Sequence, residues 1–219
     1  MNATAADPFQ FSIAAYLTRV GNQVATNLSD LAKGLAHSSD ASIFHHTFQT
    51  LGSHHFLTEG FSNDFAQWVL ASTNRGELAE GLASIDIRDY VSISELRADL
   101  HRMVADYCLA YPEIATQTAL ENFYFCESAE VTLALEPSVR TLAEFREVLR
   151  GLSHDSFHYH FISSRMRLHL RTNDFSHWLG VSLGLEALAY KVNRIDVYTN
   201  TLDSARGAIL RLIDKELES

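Results

Sequence analysis

The chain has 219 residues, 47% apolar and 20% charged, with 17 Lys+Arg against 27 Asp+Glu and a formal net charge of −10. That composition excludes a disordered polymer, and the acidic balance argues against nucleic acid as a partner. No run reaches the roughly 18 consecutive apolar residues of a membrane span; the richest, Trp178 to Tyr190, is shorter and contains Glu186.

Met1 to Gln10 has neither a basic nor an apolar leader segment, so a cytoplasmic protein is expected. Phe9, Phe11, Ile13, Ala15 and Leu17 alternate with period two, which predicts a strand. Leu28, Leu31 and Leu35 recur at helical spacing, Ser42 is a candidate N-cap for a second helix, and Asn63 or Asp64 for a third with Phe65 and Trp68 inward. A short helix follows near Leu78–Leu82. Ser94 then opens a long one whose apolar stripe is Leu96, Leu100, Met103 and Tyr107. Residues 107–122, with Pro112, read as a connection. The same order then returns: a strand over Phe123, Phe125, Ala129, Val131 and Leu133, interrupted by Glu127; a helix over Leu142, Phe145, Leu149 and Leu152; and starts at Ser156, Asn173 and Thr201.

This recurrence is an internal repeat. Residues 9–57 align with 123–171 at an offset of 114, placing Phe9, Phe11, Ser39, Ser42, His46 and His55 on Phe123, Phe125, Ser153, Ser156, His160 and His169. Four residues are missing from the second copy, after which the offset is 110. Asn63-Asp64-Phe65 then falls on Asn173-Asp174-Phe175, and Trp68 on Trp178, the two tryptophans of the chain. The period is too long for a solenoid. The expectation is an α+β, mostly α fold: a duplicated half-domain with pseudo-two-fold symmetry, about five helices and one short strand per half. The halves are 1–106 and 123–219, forming one compact domain overall.

The sequence resembles a prokaryotic domain family of no established activity that carries the same duplicated pattern. The resemblance rests on Ser42-Ile43-Phe44-His45-His46-Thr47, His54-His55-Phe56-Leu57 and Asn63-Asp64-Phe65-Ala66-Gln67-Trp68 in the first half. In the second it rests on Phe123-Tyr124-Phe125, Ser156 to Phe161, Ser164-Arg165-Met166-Arg167-Leu168, Asn173 to Leu179, Ile195 to Thr199 and Thr201-Leu202-Asp203. It departs at Val197 and at Ala205-Arg206. The resemblance spans nearly the whole chain and implies no additional domain. Members lying near sugar-transferring enzymes imply a carbohydrate-linked context.

Five histidines lie between His37 and His55, five between His154 and His177, and His101 stands alone. Histidine ligates metals, moves protons near neutral pH, or satisfies a buried hydrogen bond. His46 and His55 are nine residues apart, as are His160 and His169, which puts each pair on opposite faces of a straight helix. One metal therefore requires both halves, His46 with His160 or His55 with His169, with Asp64 and Asp174 as oxygen ligands. The competing reading has packed histidines, and Asn-Asp pairs that cap helices. Arg165, Arg167 and Arg171 lie in the less acidic part: residues 1–139 carry 6 basic and 17 acidic groups, residues 140–219 carry 11 and 10. They form either a solvated helix face or a site for an anion. Cys108 and Cys126 fit no zinc-ribbon spacing and read as free thiols, with one disulfide as the alternative. There is no GxSxG, P-loop or HExxH motif.

The function is not written in any of these motifs. The expectation is a non-enzymatic soluble binding or accessory module, without a required cofactor, whose ligand-binding residues are His46, His55, His160, His169, Asp64, Asp174 and Arg165 between the repeats. Its ligand would be small and anionic or sugar-like, or its partner a protein, with no nucleic acid and no membrane. The alternatives are a His/Asp-dependent enzyme, with or without a divalent metal, and a purely structural interaction module.

Overall fold

The structure, a computed structural model, describes residues 4–49, 61, 63–86, 89–168, 170–196 and 200–218. Strand β1 spans Thr4–Ala25 and β2 spans Phe123–Thr141, and among the described residues they make one two-stranded sheet. Their pairing is antiparallel. Gly21 lies against the Phe125 carbonyl and Arg19 meets Glu127, while the Gln10 amide reaches the Leu135 carbonyl and Arg140 reaches those of Ala5 and Ala6. Both strands, of 22 and 19 residues, are far longer than the short strand expected per half. The alternation marks only their buried parts. Phe9, Phe11, Phe123 and Phe125 are buried, whereas Leu17, Val20, Val131 and Leu133 are exposed, so those apolar positions cover no core.

The chain divides into two compact units, Tyr16–Ala129, and Met1–Ala15 together with Glu130–Ser219. The division cuts through both strands. The buried phenylalanines of each strand therefore pack on helices from the other sequence half, an arrangement that boundaries at 106 and 123 do not anticipate.

In Tyr16–Ala129 the helices are α1 (Leu28–His37), α2 (Asp40–Phe44), α3 (Asp64–Thr73), α4 (Gly76–Ala83), α5 (Ile93–Ala110) and α6 (Pro112–Ala115). Asn27, Ser39, Asn63 and Ser92 cap α1, α2, α3 and α5, each side chain accepting the backbone N–H three residues on. A side-chain cap contributes about 1 kcal/mol. Helix α2 continues into a π-helical turn, His45–Gln49. The core collects Phe65, Phe123 and Phe125 in mutual ring contact, with Trp68 edge-on to Phe123. The Trp68 indole N–H donates to the Glu121 carbonyl (2.8 Å).

The other unit contains α7 (Leu142–Arg150), α8 (His154–His158), a π-helical turn (Tyr159–Ser163), α9 (Ser164–Arg167), α10 (Asp174–Val181), α11 (Glu186–Asn193) and α12 (Leu202–Leu217). Thr141, Ser153, Asn173 and Thr201 cap α7, α8, α10 and α12, with a reciprocal Thr141–Glu144 capping box. Phe9 packs against Phe11, Phe145, Phe175 and Trp178, and the Trp178 indole donates to the Asp7 carbonyl (2.9 Å). Each aromatic contact adds about 0.5–1.5 kcal/mol beyond burial.

Three expected caps are displaced by a few residues. Ser39 and Ser153 hold the positions assigned to Ser42 and Ser156, whose own amides are the ones bonded, and Ser92 replaces Ser94. Any Ser near a helix start satisfies the local pattern; the backbone conformation selects which one caps. No described helix is long and apolar enough to cross a membrane.

Candidate functional site

Each unit holds one buried histidine tied to the first residue of a helix and to a strand. In Tyr16–Ala129, His46 sits in the π-helical turn. Its Nδ1 is 2.9 Å from Asp64 Oδ2, and its Nε2 accepts the Cys126 backbone N–H at 2.9 Å. In the other unit His160 Nδ1 is 2.7 Å from Asp174 Oδ2, and its Nε2 accepts the Ser12 backbone N–H at 2.8 Å. A ring nitrogen that accepts an N–H carries the lone pair. The proton is then on Nδ1, donating to the carboxylate, and the imidazole is neutral with a fixed tautomer. Phe65 and Phe123 wall the first ring, Phe9 and Phe175 the second.

Of the residues singled out in the sequence, the structure joins His46 with Asp64 and His160 with Asp174, one couple in each unit. The Asp side chains serve the histidines; Asn63 and Asn173 do the capping, accepting from the Ala66 and Ser176 amides. His55 and His169 lie outside the described residues. The atom that a general base or metal ligand would present, Nε2, faces a strand amide in both couples.

Arg165 is not on a solvated face. It is 3% exposed, donates to the Asn193 carbonyl (3.2 Å), and lies 5.9 Å from the Phe161 ring centre. Arg167 lies over the Tyr159 ring at 4.6 Å, bonds Asp174 Oδ2 at 2.7 Å and approaches Glu130 at 3.9 Å. Burial raises the pKa of the Glu130 carboxyl against the pull of Arg167, and burial likewise raises that of the Tyr159 hydroxyl.

Tyr16–Ala129 contains two further features. The first is a polar pocket of about 390 Å³, lined by Arg19, Gln23, His37, Ser39, Ser42 and Glu127 among others. Ser39 and Arg19 both donate to Glu127, the latter at 2.5 Å, and hold its carboxyl below the usual range. Ser42 is 3% exposed, and its Oγ has no hydrogen-bond partner among the described residues. The matching hydroxyl of Ser156 donates to the Ser12 carbonyl at 2.6 Å.

The second is a trio, His45, His46 and Cys126, offering ligand atoms within 4.8 Å of one another. His45 Nδ1 is 2.8 Å from Ser128 Oγ. Burial, helped by neighbouring His46, lowers the pKa of His45, and burial raises that of the Cys126 thiol. Both Cys108 and Cys126 are free and half-buried.

Reading along the chain missed Arg19, Gln23 and the role of Ser42, because the groups they meet lie on another element. The one signal was Glu127, a charge interrupting an apolar alternation.

The fold and these sites define an α+β, mostly helical protein whose long strands are pinned to helices by buried neutral histidines. Residues 6–214 match the model of a family of unknown function, DUF5752, and the chain belongs to that family. It is similar to a solved structure described as "The structure of OrfY from Thermoproteus tenax", with 28% identity, a TM-score of 0.86 and 99% of each chain covered. No curated protein matches the chain.

Proposed function

We propose that the protein is a non-enzymatic binding module, made by duplication of a half-domain, in which the Tyr16–Ala129 unit carries a site for a small uncharged polyhydroxylated ligand. The duplication is supported by the matched sequence and by matched contacts: strand amide to histidine, histidine to aspartate, and tryptophan to carbonyl.

The observation that carries the reading is the buried Ser42 hydroxyl, unpartnered at the pocket wall where Ser156 in the other unit is satisfied. An unmade buried hydrogen bond costs about 1–3 kcal/mol, a cost removed when a ligand supplies the partner. The charged groups of the wall, Arg19 and Glu127, neutralise each other, which favours hydroxyls over an anion. Ligand hydroxyls can accept from Ser42 and donate to the Glu127 carboxylate.

The test is a thermal-shift and calorimetric screen of the full chain with chelator present, using neutral sugars and polyols beside sugar phosphates and nucleotides. A neutral polyol should raise the melting temperature with concentration, and Ser42→Ala should weaken its binding about tenfold. A flat neutral series, or binding indifferent to Ser42→Ala, overturns the assignment.

A further inference from the structure

We propose that His45, His46 and Cys126 form a binding site for a borderline-soft divalent metal ion of the zinc class, independent of the polyol pocket.

The donor set is the one such ions select, imidazole nitrogen with thiolate sulfur. Three donor atoms from three residues already lie within 4.8 Å of one another. Tetrahedral coordination at zinc bond lengths needs donor separations of about 3.3–3.8 Å, so the closure is on the order of 1 Å. Both imidazoles are oriented by a hydrogen bond at Nδ1. His45 Nδ1 is 2.8 Å from Ser128 Oγ, a hydroxyl that can donate or accept and so lets either ring nitrogen carry the lone pair. His46 Nδ1 is held by Asp64 Oδ2 at 2.9 Å, the carboxylate–histidine arrangement that orients ligating imidazoles. On binding, His46 Nε2 exchanges the Cys126 amide for the metal, the Cys126 thiol releases its proton to solvent, and water completes the fourth position.

The other unit has the same frame without the donors. Tyr159 stands where His45 stands, and Ser12 where Cys126 stands, while His160 and Asp174 persist. His45→Tyr and Cys126→Ser therefore convert the site into residues that this frame already accommodates.

The experiment adds cobalt(II) or zinc(II) alone to the reduced full-length protein. One equivalent of cobalt(II) should bind and produce a thiolate-to-cobalt charge-transfer band. Cys126→Ser should abolish the band, His45→Tyr should weaken binding at least tenfold, and Cys108→Ser should leave both unchanged. In the wild type, zinc(II) should slow alkylation of Cys126 at least tenfold relative to Cys108, a readout that stands even if a variant does not fold. Absence of stoichiometric binding, a band surviving Cys126→Ser, or equal alkylation of both thiols with and without zinc overturns the proposal.

Discussion

The Tyr16–Ala129 unit and the unit built around Glu130–Ser219 hold their histidines identically and differ in what surrounds them. In both, a neutral imidazole in a π-helical turn joins a strand amide to an aspartate at a helix start. Around His160, Arg167 pairs with Asp174 and lies over Tyr159, and Ser156 bonds the strand. Around His46, Tyr159 is replaced by His45, Ser12 by Cys126, and the Ser42 hydroxyl has no partner among the described residues. The shared contacts are those that stability requires. The differences place a buried hydroxyl at a pocket wall and soft ligand atoms in the Tyr16–Ala129 unit, where binding chemistry would need them.

The sharpest way to break this comparison is to remove the common feature. His46→Phe and His160→Phe keep an aromatic ring but orphan a strand amide and delete a carboxylate bond, so each should cost about 2–4 kcal/mol in denaturant unfolding. A loss under about 0.5 kcal/mol for either would mean that its imidazole is not a structural bridge. Next in size is Gly34→Ala. A Cβ there would lie 2.2 Å from the Phe125 ring, which is 2% exposed and enclosed by the core. The variant should lose about 1–3 kcal/mol although Ala favours a helix by about 1 kcal/mol; a gain in stability would show that α1 does not touch the strand so closely.

The serines test the difference more finely. Without ligand, Ser156→Ala should cost about 1 kcal/mol, having lost its bond to the Ser12 carbonyl, while Ser42→Ala should be neutral or stabilising because it removes an unpaired hydroxyl. Equal losses would erase the contrast. The smallest expected effect is at Glu130. Its folded pKa is raised from 4.5 by burial, so the native state binds more protons than the unfolded chain just above pH 4.5, and stability falls as pH rises through that window. Glu130→Gln should therefore raise the melting temperature slightly at neutral pH and lose that gain below pH 4.5. A lower melting temperature at neutral pH would instead show that the 3.9 Å attraction to Arg167 outweighs desolvation.

Much of the frame was legible because it depends on short-range rules. The alternation at Phe9 and Phe11, the Leu28–Leu35 spacing and the cap at Asn63 each follow from local backbone geometry. The repeat identified His46, His160, Asp64 and Asp174 as matched positions before any contact was known. Tertiary structure alone decided that His46 pairs with Asp64 and meets the Cys126 amide, 80 residues away. It also decided that Arg165 is buried instead of solvated, that Ser39 caps α2 in place of Ser42, and that each strand's phenylalanines pack on helices of the opposite half. The physical reason is range. Periodicity and capping are set by residues within one turn or one pleat, whereas a hydrogen bond between distant segments, and the absence of one at Ser42, exist only after the chain has packed.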